Sequence, residues 1–144
     1  MTNQKVADLG PIDLLIGGST CNDLSFVNPN RKGLFNSAGT GILFFDYLRI
    51  KREIEKLNKD VPLFWLYENV YSMSEIYRNF ICSAFETGPI LVDAIDFSPQ
   101  SRSRCFWGNI PGMRRKIPKV ENTSLSNYIM QECGRRPMVD KINP

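Results

Sequence analysis

The sequence contains no histidine anywhere in its 144 residues. That absence removes the commonest general base, the usual partner of a serine or cysteine protease nucleophile, and the ordinary zinc and haem patterns. The four cysteines (Cys21, Cys82, Cys105 and Cys133) stand far apart and form no CxxC pair. No metal site is expected, and the thiols are expected to be free, as in the nucleus or cytosol. No apolar run approaches the roughly 20 residues that cross a bilayer. The N-terminus lacks a charged head followed by an apolar core, so it does not read as a signal peptide, and no membrane partner is expected. Chemistry here must rest on cysteine, carboxylate, arginine or a bound cofactor.

What is present suits a folded domain. Hydrophobic residues make up 42% of the chain, enough for a core and too many for a disordered segment. The net charge of +3 is unevenly placed. Residues 1–112 carry 11 Lys and Arg against 12 Asp and Glu, whereas residues 113–144 carry 7 against 3. A basic C-terminal segment suits a polyanion and equally suits a solvated tail.

Strand-like and helix-like segments alternate, the pattern of an α/β fold with a parallel sheet. Ile12–Ile16 reads as a buried strand ending in a sharp turn at Gly17-Gly18. Residues 19–41 are rich in Asn, Ser, Gly and Pro and read as a long loop, a length that in compact domains is often functional. A helix is predicted from Ile42 to about Leu57, with Leu43, Tyr47, Ile50, Ile54 and Leu57 on one face. Gly39-Thr-Gly41 reads as its starting turn. The apolar start of this helix, including Phe44 and Phe45, needs a partner besides the sheet. Leu63–Tyr67 follows as a strand with Glu68-Asn69-Val70 at its exit, and Trp65, Phe64 and Trp107 read as core. A second helix, capped by Ser72 or Ser74, runs to about Phe85. Further strands are predicted over Ile90–Ile95 and over residues 104–110, with a short helix near 124–133.

Two polar groups thus fall beyond two apolar strands: Cys21 after the first and Glu68 after the second. In open α/β sheets ligands bind at the carboxyl ends of the strands, so a thiol and a carboxylate would meet in one crevice if these strands are parallel neighbours.

The wording of these segments is specific. Gly17-Gly-Ser-Thr-Cys-Asn-Asp-Leu-Ser25, with Asn28-Pro-Asn-Arg-Lys-Gly-Leu34, closely resembles the catalytic-cysteine loop of animal de novo DNA (cytosine-5) methyltransferases. Phe64-Trp-Leu-Tyr-Glu-Asn-Val70 is similar to that family's Glu-Asn-Val motif. Ser101-Arg-Ser-Arg-Cys-Phe-Trp-Gly-Asn-Ile-Pro-Gly-Met113 is similar to its Arg-x-Arg motif and following strand. The resemblance covers roughly residues 9–115, and Gln131-Glu-Cys133 extends it.

The resemblance implies a fold class, α/β, as the second half of a doubly wound, mostly parallel sheet of the S-adenosylmethionine-dependent methyltransferase type. It implies Cys21 as the nucleophile adding to cytosine C6 and Glu68 as the group holding the base edge and supplying a proton. Asn69 would fix the carboxylate or the loop, and Arg102 and Arg104 would bind the base carbonyl, a phosphate or the thiol environment. A free thiol is mostly protonated at neutral pH, so such a site must favour or generate the thiolate. S-adenosyl-L-methionine is the implied cofactor, with Gly18, Ser19 and Leu43 the matched positions that would touch it. Double-stranded DNA is the implied partner, its target base flipped out of the stack and its backbone met by Asn22, Ser25, Val27, Arg31 and Lys32. Phe45 matches a position used for subunit contact, so an oligomer through the Phe44/Phe45 helix is expected, and the family implies the nucleus.

Two departures from the family stand out. Thr20 occupies the place of the proline before the nucleophile, which implies a looser loop and lower activity. The family's glycine-rich cofactor loop and ribose-binding acid lie on earlier strands. Residues 1–115 are therefore expected to be a partial catalytic domain, inactive and without appreciable cofactor binding alone, and residues 116–144 a basic segment, either the start of a target-recognition region or a tail. The alternative is a truncated, non-catalytic accessory paralogue that binds a full methyltransferase. A tRNA cytosine methyltransferase shares the chemistry, but the Asn28–Leu34 loop resembles the DNA enzymes.

Overall fold

The computed structural model describes residues 6–59 and 61–120. The expected helix near 124–133, the Gln131–Cys133 match and most of the 116–144 segment lie outside the described residues. Four strands form one open sheet: β1 (Leu14–Gly18), β2 (Phe64–Val70), β3 (Ile90–Asp93) and β4 (Ser103–Gly108), in the order β1-β2-β4-β3. β1 pairs parallel with β2, and β4 pairs antiparallel with both β2 and β3. Three of the four strands therefore run the same way, with β4 inserted against them. The α/β class is as expected from the alternation of segments, whereas the parallel sheet read from it is mixed, because β4 pairs antiparallel with both of its neighbours.

Helix α1 (Leu43–Asn58) crosses from β1 to β2, and α2 (Glu75–Phe85) joins β2 to β3. Two 3-10 turns, Val6–Leu9 and Ala94–Asp96, complete the elements. Both helices cover one sheet face. The buried side of α1 carries Phe44, Tyr47, Leu48 and Ile54, and that of α2 carries Ile81 and Phe85. They meet Trp65, Tyr67 and Trp107 from the sheet, with ring centroids 4.7 Å apart for Trp65 and Phe85 and 5.5 Å for Phe44 and Tyr67. Burying one such side chain contributes about 1.5–3 kcal/mol. The Arg49–Glu53 and Lys51–Glu55 pairs of α1 contribute about 0.2–0.5 kcal/mol each, so core packing, not ion pairing, holds the helix.

The opposite sheet face is open at Leu14, Ile16 and Phe64, which are 50%, 61% and 38% exposed. Of the residues read as core, Trp65 and Trp107 are buried and Phe64 is not, because alternation puts it on the face without helices. Phe44 is fully buried, while Phe45 is half-buried against Phe35 and Phe80. Among the described residues no helix is long and apolar enough to cross a membrane.

Several boundaries differ from the expectation. β1 extends through Gly17-Gly18 instead of turning there, because the parallel ladder continues to the Gly18–Glu68 pair. Glu68 and Asn69 lie inside β2 and not beyond it, since β4 continues the pairing to Val70 and Arg104. β3 stops at Asp93, whose carboxylate accepts from the Ile95 amide at 3.1 Å and turns the chain into a 3-10 helix. Ser74 stands at the N-cap of α2 without a side-chain cap bond.

The chain entering β1 is fastened to the end of α1 by one amide. Asn58 accepts from the Ile12 amide at 3.1 Å and donates to the Ile12 carbonyl at 2.6 Å, and its side chain is buried. Asn58→Ala strands both backbone groups and is expected to destabilise the fold by about 1–3 kcal/mol, read as a lower urea midpoint.

Candidate active site

The parallel register carries the Cys21 loop to the Glu68 carboxylate. Gly18 lies beside Glu68 across the β1–β2 ladder, and a side chain at position 18 would bring its Cβ within 2.7 Å of the Glu68 carbonyl oxygen. Only glycine allows this approach. The chain leaves β1 at Ser19, and Cys21 opens a turn in which its carbonyl accepts from the Leu24 and Ser25 amides at 3.0 and 2.9 Å. The Cys21 side chain is exposed.

An open cleft of about 390 Å³ is lined by Gly18, Ser19, Thr20, Cys21, Asn22, Glu68, Arg102 and Arg104. Cys21, Glu68 and the two arginines, far apart in sequence, are thus brought to one place. Arg104 donates from Nε to Glu68 Oε1 at 2.8 Å and from Nη1 to the Ser103 carbonyl at 3.0 Å. With Glu68 39% and Arg104 20% exposed, this pair is worth little as stability. Its effect is orientation, because it fixes one carboxylate oxygen and leaves Oε2 on the Gly18 side.

Asn69 does not line the cleft. It is fully buried behind it, where Nδ2 donates to the Ser19 carbonyl (3.1 Å), Ser19 Oγ (3.1 Å) and Tyr67 OH (3.2 Å), and Oδ1 accepts from the Val70 amide at 2.8 Å. Ser19 Oγ and Tyr67 OH lie 2.6 Å apart. Burial pushes the Tyr67 phenol up, so it stays a neutral hydroxyl. The network holds Ser19, two residues before Cys21, from beneath.

Leu43, at the start of α1, is partly buried and does not line the cleft. Of the loop residues, Val27 is 85% exposed. Ser25 is buried, its hydroxyl shared with Ser72 at 3.0 Å and the Val27 amide at 3.2 Å. Arg31 lies over the Phe26 ring at 4.5 Å, and Lys32 Nζ donates to the Ala38 carbonyl at 2.8 Å. Asn22 accepts from Asn28 Nδ2 at 2.9 Å on its carbonyl. Cys82 and Cys105 are free thiols away from the cleft, and burial pushes the Cys105 thiol up, which leaves it inert. Among the described residues no group of three or more His, Cys, Asp or Glu could hold a metal ion.

Sequence reasoning missed two carboxylates that shape the site. Asp23 pins the loop: it accepts from the Lys32 amide at 3.1 Å, the Thr40 amide at 2.6 Å and Thr40 Oγ1 at 2.9 Å, and its carbonyl accepts from the Gly33 amide at 2.9 Å. Asp93 closes the loop before the arginines. An Asp amid Gly, Ser and Thr signals local capping, but the distant donors were not legible.

The Thr40 amide, followed by the Lys32 amide and Thr40 hydroxyl, holds the Asp23 carboxyl below the usual carboxylate range. A depressed folded pKa gives stability that is complete above the unfolded value of about 4 and lost as pH falls through the folded one. The stability difference between wild type and Asp23→Asn is expected to be constant above about pH 5 and to shrink below about pH 4. Denaturant titrations of both proteins across this range check the window, and a difference that widens on acidification would contradict it.

Residues 1–132 match the family described as C-5 cytosine-specific DNA methylase. The chain is also 32% identical over 127 residues to the orphan methyltransferase M.SPRI of Bacillus phage SPR, a match covering 81% of this chain and 26% of that relative. It therefore spans about a quarter of the length of the phage protein. With the match extending over nearly the whole chain, and Cys21, Glu68, Arg102 and Arg104 gathered on one cleft, this chain belongs to the C-5 cytosine-specific DNA methylase family.

Proposed function

We propose that this domain carries the reacting residues of a DNA (cytosine-5) methyltransferase, with Cys21 as nucleophile. The observation that carries the reading is the cleft on which Cys21, Glu68, Arg102 and Arg104 converge, with Glu68 oriented by Arg104 at 2.8 Å. A neutral cytosine is unreactive at C5. The Cys21 thiolate adds to C6 of a flipped base, forming the S–C6 bond and moving the electron pair toward C5, while Glu68 supplies a proton at N3. After methyl transfer the C5 proton is lost to a base and the S–C6 bond breaks, which restores Cys21. Arg102 presents a charge for the base carbonyl or a neighbouring phosphate.

S-adenosyl-L-methionine, when bound, supplies the methyl group. The residues present fit one edge of such a donor: Gly18 and Ser19 border the cleft, and Leu43 does not line it. Duplex DNA would be met by the loop carrying Asn22, Val27, Arg31 and Lys32, whose most exposed apolar side chain is Val27, with Ser25 as an anchor beneath it. A finer placement among the animal de novo enzymes, and hence in the nucleus, rests on the Asn28–Leu34 wording. A subunit contact along α1 would fall to Phe45, since Phe44 is fully buried. The family relation supports transferase chemistry on DNA, and the activity, substrates and partners of the whole protein are part of this proposal.

In the full-length protein carrying this segment, duplex DNA with 5-fluorocytosine and the methyl donor is expected to become covalently trapped, and the same base in RNA is not. Cys21→Ser is expected to abolish trapping, and Glu68→Gln to lower turnover by about 10²–10⁴-fold. Turnover surviving Cys21→Ser would sink the covalent mechanism, and a wild type that never traps would favour the accessory-paralogue reading. Thr20→Pro stiffens the exposed loop beside the nucleophile and is expected to raise methyl transfer. An unchanged rate would mean that the loop does not need the proline.

A further inference from the structure

We propose that Asp93 is a positioning residue that clasps the loop of residues 94–102 shut and thereby sets Arg102 and Arg104 on the cleft, an inference that rests on reading this cleft as the methyl-transfer site. Asp93 is the last residue of β3 and lies opposite Ser103, the first residue of β4. A strand-end aspartate that only capped the following 3-10 turn would accept one bond, from the Ile95 amide. Asp93 accepts three more from the other end of the loop. Oδ1 takes the Arg102 amide at 2.8 Å, and Oδ2 takes the hydroxyls of Ser101 (3.2 Å) and Ser103. A backbone bond beyond the ladder runs across the same base from the Ala94 amide to the Arg102 carbonyl, at 3.3 Å.

The clasp reaches both arginines through the peptides it holds. Arg102 is tied by its own amide, and its exposed guanidinium borders the cleft through the placement of its backbone. Ser103 is bound to Asp93 through its hydroxyl and to Arg104 Nη1 through its carbonyl, and Arg104 Nε continues to Glu68. A connected path therefore runs from Asp93 through Ser103 and Arg104 to the Glu68 carboxylate. The Ser103 hydroxyl, with the Ile95 and Arg102 amides, holds the Asp93 carboxyl at about 2, so the acceptor is ionised throughout the neutral range. Bonds to an ionised acceptor are roughly twice as strong as neutral ones, which suits a single carboxylate closing an otherwise exposed loop.

The test is a double-mutant cycle in the full-length protein, with methyl transfer to duplex DNA as one readout and amide hydrogen exchange as the other. Asp93→Ala is expected to lower kcat by about 10- to 100-fold, with the methyl-donor KM within about twofold of wild type. Adding Arg102→Ala should cost little more, because both changes remove the same placement. In exchange, the Ile95 and Arg102 amides should lose protection while the amides of β4 that pair with β2 keep theirs. Additive losses, an unchanged kcat, or unchanged protection at Arg102 would overturn the proposal. If Asp93→Ala is not recovered folded, Asp93→Asn takes its place in the same cycle, with a smaller loss expected because one oxygen acceptor remains. A wild type that neither turns over nor traps on 5-fluorocytosine DNA overturns the methyl-transfer reading itself. The exchange experiment does not depend on turnover and still decides whether Asp93 closes the loop.

Discussion

The site depends on the closeness with which β1 runs beside β2 at its last residue. Gly18 and Glu68 are paired in the parallel ladder, and any side chain at position 18 would collide with the β2 backbone. Because the strands are parallel, both chains leave the sheet at the same end. Cys21 follows Gly18 by three residues, so its thiol emerges over the carboxylate and not on the far side of the domain. A slip of β2 by one residue would turn Glu68 to the face covered by the helices and turn Trp65 and Tyr67 away from it, and an unpaired carboxylate on the covered face is costly.

Around that ladder the structure separates packing from chemistry by strand alternation. Trp65, Tyr67 and Asn69 of β2 point into the covered face, with Trp107 of β4 beside them, while Glu68 and Arg104 stand on the face that carries the cleft. Asn69 is the one polar side chain of β2 on the covered side, and it is fully satisfied by Ser19, Tyr67 and Val70. An unsatisfied amide there would cost about 1–3 kcal/mol. The same bonds that meet this requirement hold the backbone ahead of Cys21. Stability and positioning are thus served by one network.

Two aspartates play a related part in the loops. Asp23 gathers backbone and hydroxyl donors from Lys32 and Thr40, so the long segment after Cys21 is a pinned structure with an exposed tip at Val27. Asp93 does the same for the segment before Arg104. Neither touches the cleft. Ordering a loop residue costs about 1–2 kcal/mol of backbone entropy, and a single ionised acceptor with several donors offsets much of that cost in the segments that carry Cys21 and the two arginines to the cleft.

Much of this was readable from the chain. The alternation of apolar strands with the 3–4 residue stripes of α1 and α2 gave the element order, since period reports burial directly. Cys21, Glu68, Arg102 and Arg104 were identifiable as a set from the wording and order of their motifs. The ends of elements were less legible: β1 reached Gly18 and β2 reached Val70 because a neighbouring strand supplied ladder partners, and β3 stopped early because Asp93 captured an amide. What only the tertiary structure decided was which groups share a space. The Glu68–Arg104 pair, the Ser19–Tyr67–Asn69 network and the Asp93 clasp join residues up to 50 positions apart, and Leu43 falls away from a cleft that Gly18 and Ser19 border. Sequence determines side-chain chemistry and local periodicity, whereas the meeting of distant groups is fixed by strand register and by the faces the helices cover.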